Sequence, residues 1–297
     1  MPDVDFNDRL NPSHSPARRP RRAAYALPTL FTAGNIFLGY VAILQAFRGA
    51  MDASAGHFGF NEHFDAAAKM IGIAVVLDGL DGRIARMTNT VSDFGREMDS
   101  LADVITFGLA PAVLAFAWGL QFIDRSFAGL DALLRAGYFI CFMFLLCGSA
   151  RLARFNVTTN PKPKNPGRPD RKYFVGMPIP SAAALVAAVV YASGSAPLRW
   201  WPFAVGWLCL LGLMSFLMVS TWRYPSFKDI HLVRPRTPLT IILVASLIFL
   251  IYIAPQPMLL LISAAYVATG IFIRAGGIIR RRWRHEPASA RPEHQVG

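Results

Sequence analysis

Eight stretches dominated by apolar residues run along the chain, separated by short polar connections. The first four extend from Leu27 to Phe47, Phe64 to Leu80, Leu101 to Leu120 and Leu133 to Ala150. The second four extend from Met177 to Tyr191, Trp201 to Val219, Leu239 to Ile253 and Met258 to Ile273. A helix that crosses a bilayer needs about 20 predominantly apolar residues. Several stretches are shorter than that, so they mark the spans and not their ends. The pattern predicts an all-α, polytopic transmembrane helical bundle of about eight spans. Residues 1–24 are rich in Pro, Arg and polar residues, and the basic segment 275–297 is polar beyond residue 284. Both read as tails without a packed core.

Composition agrees with the pattern, since 54% of the 297 residues are hydrophobic and only 16% are charged. The formal charge of +12 raises the question of nucleic acid, and the placement of the basic residues answers it. With the amino terminus in the cytoplasm, eight spans put 25 of the 30 Lys and Arg on the cytoplasmic side. They gather around Arg18 to Arg22, at Arg83, Arg86 and Arg96, between Arg151 and Lys172, between Arg223 and Arg236, and in the carboxyl tail. The other five are Arg48, Lys69, Arg125, Arg135 and Arg199. Membrane orientation thus accounts for the charge without a nucleic-acid partner, and it predicts both termini in the cytoplasm. Cys141, Cys147 and Cys209 lie in apolar runs without CxxC spacing and read as small buried hydrophobes. Arg18 and Arg19 precede an apolar run, but no small-residue cleavage site follows, so the first helix is expected to be retained. Asn156 to Thr158 matches a glycosylation sequon on an expected cytoplasmic loop and is read as chance.

The chemistry sits in Asp78-Gly-Leu-Asp81-Gly82-Arg-Ile-Ala85-Arg86, followed by Gly95, Asp99 and Asp103. Carboxylates at membrane depth are costly and usually functional. Asp78 and Asp81 are three residues apart, Asp99 and Asp103 four apart, so each pair shares one helical face. A polar turn around Thr88 to Ser92 joins the two helices, and Thr90 with Asp93 offers a capping-box start to the second. An antiparallel hairpin would bring the pairs together. About 12 residues from Ala66 to Leu77, at about 1.5 Å each, set Asp78 roughly 18 Å along its helix. In a hydrocarbon core of about 30 Å the carboxylates then lie just inside the cytoplasmic boundary. Gly82, Ala85 and Gly95 leave room beside them. Clustered carboxylates without matching cations on the same faces suggest a hard divalent metal, Mg2+ or Mn2+. A pair of such ions would clamp a diphosphate. Two other readings use the same residues: Asp-Gly steps that mark solvated turns, and the ion or proton path of a transporter. The transporter reading calls for polar residues deep in several other spans, which are largely apolar.

This string resembles, without a departure, the signature of the CDP-alcohol phosphatidyltransferase family. The resemblance implies a six-helix core over about residues 25–225, a homodimer, and a CDP-linked lipid entering from the membrane. Residues 226–274 would then be two additional transmembrane helices. By the same resemblance Asp78, Asp81 and Asp99 bind divalent metal, and Asp103 acts as general base while also belonging to the metal set. Gly82 and Ala85 border the cytidine, Arg86 lies near the nucleotide or its phosphates, and Gly95 and Asn35 belong to the same region. A narrower likeness, to bacterial members that use L-serine as acceptor, rests on four further strings. They are Pro28 to Asn35, Gly148 to Asn156, Phe174 to Ser181 and Met218 to Lys228.

Arg151 and Arg154 lie three residues apart at the cytoplasmic end of the fourth helix, placed to receive an acidic acceptor. For either arginine alone, ordinary cytoplasmic anchoring is the slightly better explanation. The reaction expected is attack of the L-serine hydroxyl on CDP-diacylglycerol, giving phosphatidylserine and CMP. Other acceptors, namely glycerol 3-phosphate, inositol phosphate or choline, fit the same aspartates, and a covalent route through an Asp remains open. The setting expected is the cytoplasmic membrane, with the site facing the cytoplasm.

Overall fold

The structure, a computed structural model, describes residues 22–88, 93–159, 173–225 and 238–283. Within them the chain forms α1 (Arg22–Ser54), α2 (Glu62–Thr88), α3 (Asp93–Asp103), a π-helical segment (Val104–Leu109) and α4 (Ala110–Gly119). There follow α5 (Leu130–Thr159), β1 (Tyr173–Val175), α6 (Ile179–Ala192), α7 (Trp201–Val219), β2 (Arg223–Pro225), α8 (Pro238–Ile253) and α9 (Pro255–Trp283). Because α3, the π-helical segment and α4 run on without a break, the described residues make eight helical rods. The chain is a multi-pass membrane protein. By length and composition five helical stretches among the described residues suit a membrane span: Leu30–Ser54, Phe94–Gly119, Leu130–Val157, Trp201–Val219 and Pro255–Arg274. Of the other three rods, α6 and α8 are shorter, at 14 and 16 residues, and α2 carries charge at both ends.

Small side chains let the first two helices approach. Ala42, Ala46, Ala50 and Ala53 of α1 are buried, as are Ala67, Ala68, Ile71 and Ala74 of α2. Such faces suit a bilayer, where close van der Waals contact drives helix pairing. The opposite face of α1 exposes Phe37, Tyr40, Leu44, Phe47 and Met51, as lipid contact requires. Asn61 starts α2 by accepting the backbone N–H groups of His63 (3.0 Å) and Phe64 (3.1 Å), two donors that a helix start leaves unpaired. Its amide nitrogen donates to the Gly49 carbonyl (3.1 Å) and to Asp52 (3.0 Å), which locks the α1–α2 turn. Beyond α4, the Ser126 backbone N–H holds the Asp124 carboxyl below the usual carboxylate range. The Asp124 N–H donates to the Arg199 carbonyl (3.0 Å), tying that loop to the one before α7.

Two features depart from a plain bundle. Pro111 lacks the N–H that the Phe107 carbonyl would accept, and its ring crowds that carbonyl. The π-helical widening over Val104–Leu109 sits where this conflict falls. The second feature is a short antiparallel ribbon, β1 against β2, that pairs Tyr173 with Pro225 and Val175 with Arg223. Gly176 leaves it at φ +80, donating its N–H to the Trp222 carbonyl (2.8 Å), with no room for a Cβ beside the Met218 carbonyl. The ribbon joins two of the strings noted in the sequence and pins the end of α7 to the start of α6.

The π-helical segment is clamped to α1. Thr106 donates its hydroxyl to the Asn35 carbonyl (2.9 Å), and a Cβ at Gly39 would lie 2.8 Å from the Thr106 Cα. Gly39→Ala should therefore destabilise the protein by about 1–3 kcal/mol through overpacking, more than the helix-propensity gain of up to about 1 kcal/mol. Gly34→Ala, whose Cβ would meet nothing within 4 Å, is the control and should be neutral or slightly stabilising. Thermal midpoints of the two variants in detergent, measured against wild type, check this.

Candidate active site

The helical periodicity that placed four aspartates on two faces has a definite spatial outcome. Asp78 on α2 meets Asp99 and Asp103 on α3, and one carboxylate oxygen from each lies within 4.8 Å of the others. These three form an acidic group able to hold a metal ion. Asp81, one turn beyond Asp78, is not part of that trio but is near enough to Asp99 and Asp78 for their charges to interact. It is buried, takes a hydrogen bond from the Gly82 N–H, and keeps Oδ2 without a partner. Asp103 Oδ1 is likewise buried and unpartnered among the described residues. Buried acceptors without donors call for a cation or a donor from a ligand. The donor set is all oxygen, which suits a hard divalent ion.

Arg151 brings positive charge to this group from α5. Its guanidinium is within electrostatic reach of Asp103, and its Nε is buried without a hydrogen-bond partner among the described residues. Arg154 donates to the Val219 carbonyl (3.0 Å) at the end of α7. The two arginines that look equivalent in the sequence thus have different surroundings. Asn35 is fully buried on α1, with neither side-chain polar atom partnered among the described residues. Gly82 is half-buried, and a Cβ there would meet nothing within 4 Å, so space is left beside Asp81. Gly95 lies half-buried on α3, two turns before Asp103. The side chains of Ala85, Arg86, Thr90 and Asp93 lie outside the described residues.

Some supports had no clear signal in the sequence. Asn156, which looked like part of a chance sequon, donates its amide to the Ser100 hydroxyl (2.8 Å), and Ser100 donates to the Arg96 carbonyl (3.0 Å). The bond ties α5 to α3 between Asp99 and Asp103. Thr106 is a second support, and its polarity within an apolar run is the one cue that could have singled it out.

A sequence profile of the CDP-alcohol phosphatidyltransferase family matches residues 25–212, which hold all four aspartates. The chain belongs to the CDP-alcohol phosphatidyltransferase family. Among similar members of the family is the CDP-diacylglycerol--serine O-phosphatidyltransferase of Helicobacter pylori. It is 35% identical over 257 residues, 85% of this chain and 92% of that protein. The Bacillus subtilis protein of the same name is 32% identical over 202 residues, covering 68% of this chain and 91% of its own length. Archaetidylserine synthase of Methanothermobacter thermautotrophicus is 32% identical over 67% of this chain and 70% of its own.

The crowding of like charge has a consequence for stability. Without a cation, ionised carboxylates this close repel one another, and Arg151 can offset only part of that. In excess chelator Asp78→Asn should raise the thermal midpoint by a few degrees, about 1–2 kcal/mol of relieved repulsion. A lowered midpoint in chelator would show that the three carboxylates are not crowded as described.

Proposed function

We propose that this protein transfers the phosphatidyl group of CDP-diacylglycerol to the hydroxyl of L-serine, giving phosphatidylserine and CMP. The observation that carries the reading is the single acidic group with Arg151 at its edge, on a chain whose relatives are named for this reaction. Serine brings both the hydroxyl that a base must activate and a carboxylate that a buried guanidinium would receive. Glycerol 3-phosphate, inositol phosphate and choline lack a carboxylate.

Asp78, Asp81 and Asp99 would hold divalent metal, Mg2+ or Mn2+ and two ions in our reading, with Asp103 at its edge. When bound, the metal supplies charge that offsets the diphosphate and makes CMP a better leaving group. Asp103 takes the serine hydroxyl proton as the serine oxygen bonds to the lipid-side phosphorus, and the bond from that phosphorus to the bridging oxygen breaks. The electron pair leaves with CMP. Gly82, Ala85, Arg86, Gly95 and Asn35 would line the nucleotide, the glycines through absent side chains and Asn35 through its buried amide. Arg151 orients the serine carboxylate, and Arg154 supports the same wall through the end of α7.

We further read all eight rods as spans of the cytoplasmic membrane, with both termini and the site on the cytoplasmic side. The clustering of Lys and Arg supports this orientation. Residues 25–225 would form the six-helix core of a homodimer, with 226–274 added to it.

Purified full-length protein in lipid nanodiscs tests the reading through CMP release. L-Serine should drive release, whereas glycerol 3-phosphate, inositol phosphate and choline should not, and excess chelator should abolish it. Release indifferent to serine would sink the acceptor assignment. Asp103→Asn should lower single-turnover rate by about 10²- to 10⁴-fold while metal still binds. Asp78→Asn should instead weaken metal binding. Equal loss of metal affinity in both variants, with rate recovered at saturating metal, would reject Asp103 as base.

A further inference from the structure

The end of the bundle away from the carboxylates carries a second polar feature. From Asp103 to Gly119 the α3–α4 rod runs roughly 24 Å at about 1.5 Å per residue. Just beyond it three connections meet. Phe58, between α1 and α2, lies under the Arg199 guanidinium, 4.5 Å from it to the ring centroid, and edge-on to Phe122 at 6.4 Å. The Asp124 N–H donates to the Arg199 carbonyl (3.0 Å), and the Phe127 ring stacks on Trp201 with centroids 4.8 Å apart. Among these contacts opens a groove of about 610 Å3 whose walls include Asp124, Ser126, Phe127, Arg199, Trp200 and Trp201. Its volume is in the range that holds small ligands.

One cation and one anion share this groove. Arg199 is exposed and makes no ion pair among the described residues. The Asp124 carboxylate accepts the Ser126 N–H (3.1 Å) and has capacity for further donors. A purely anionic ligand would meet Asp124 and a purely cationic one Arg199, whereas a ligand with a phosphate and an ammonium a few bonds apart answers both. Guanidinium pairs with phosphate oxygens, and a primary ammonium pairs with a carboxylate and is drawn to aromatic faces. Trp200 and Trp201 are 59% and 43% exposed at the start of α7, and tryptophans so placed sit at the level of lipid headgroups. That position favours a ligand held in the bilayer over one free in solution.

We propose that this groove binds the phosphoethanolamine headgroup of a membrane lipid in the leaflet away from the carboxylates, its phosphate on Arg199 and its primary ammonium on Asp124. The site is separate from the acidic group and does not rest on the serine reading given above.

Native mass spectrometry of the purified full-length protein in detergent tests this, with phosphatidylethanolamine, phosphatidylglycerol and phosphatidylcholine of one acyl composition as probes. Wild type should bind phosphatidylethanolamine about tenfold more tightly than either of the others, the scale of one charge-assisted hydrogen bond. Asp124→Asn should weaken phosphatidylethanolamine by about that factor and leave phosphatidylglycerol unchanged or tighter, because the asparagine oxygen can still accept the Ser126 N–H. Arg199→Gln should weaken both lipids. A misfolded variant would lose both lipids alike, so the selective loss in Asp124→Asn separates recognition from damage. Lipid bound elsewhere on the protein is common to all three proteins, and differences between them report this groove. Equal affinity of wild type for phosphatidylethanolamine and phosphatidylglycerol, or an equal loss of both in Asp124→Asn, overturns the proposal. Free glycerophosphoethanolamine in large excess should not displace the lipid, and displacement would overturn the assignment to a lipid.

Discussion

Carboxylates gathered inside a membrane protein repel one another, and the architecture around α2 and α3 is organised by that constraint. At an effective dielectric of about 20, two ionised carboxylates 4–5 Å apart repel by about 3–4 kcal/mol. Asp78, Asp99 and Asp103 meet at such separations, with Asp81 a turn away. Arg151 brings one positive charge against four negative ones. Bound cationic charge would relieve that repulsion, and the same all-oxygen donor set suits a hard divalent ion. Function and electrostatic cost thus have one origin.

Holding the cluster requires backbones that do not yield. On one side Gly39 lets α1 sit against the π-helical segment, and the Thr106 hydroxyl fixes the register through the Asn35 carbonyl. From α5, Asn156 reaches Ser100 between the two aspartates of α3. The β1–β2 ribbon and Arg154 then fasten the ends of α5, α6 and α7 to one another. Each of these contacts joins helices distant in sequence, so the carboxylates are positioned by tertiary bonds and not by the hairpin alone.

Periodicity made the aspartate site legible, because spacings of three and four residues dictate a shared helical face whatever surrounds them. The apolar stretches likewise predicted the helices, although α1, α2 and α5 run past their apolar edges into polar ends. What escaped the sequence depends on which side chains meet in space. Nothing local distinguishes Arg151 from Arg154, yet one lies within electrostatic reach of Asp103 and the other donates to the last carbonyl of α7. The ribbon pairs three-residue segments that lie far apart in the chain, too short for an alternating pattern to register. Asn156 looked incidental because its partner Ser100 is 56 residues away. Helix α9 showed only apolar character until Tyr224 was placed beside Tyr266 and Gly270.

The central claim is that the carboxylate cluster of Asp78, Asp81 and Asp99, with Asp103 at its edge, binds a divalent ion. Mn2+ binding followed by electron paramagnetic resonance in the purified full-length protein tests it without turnover. The account predicts saturable, stoichiometric binding in wild type that CDP-diacylglycerol tightens, and loss of that binding in Asp99→Asn. Mn2+ binding of the same affinity and stoichiometry in both proteins would contradict it.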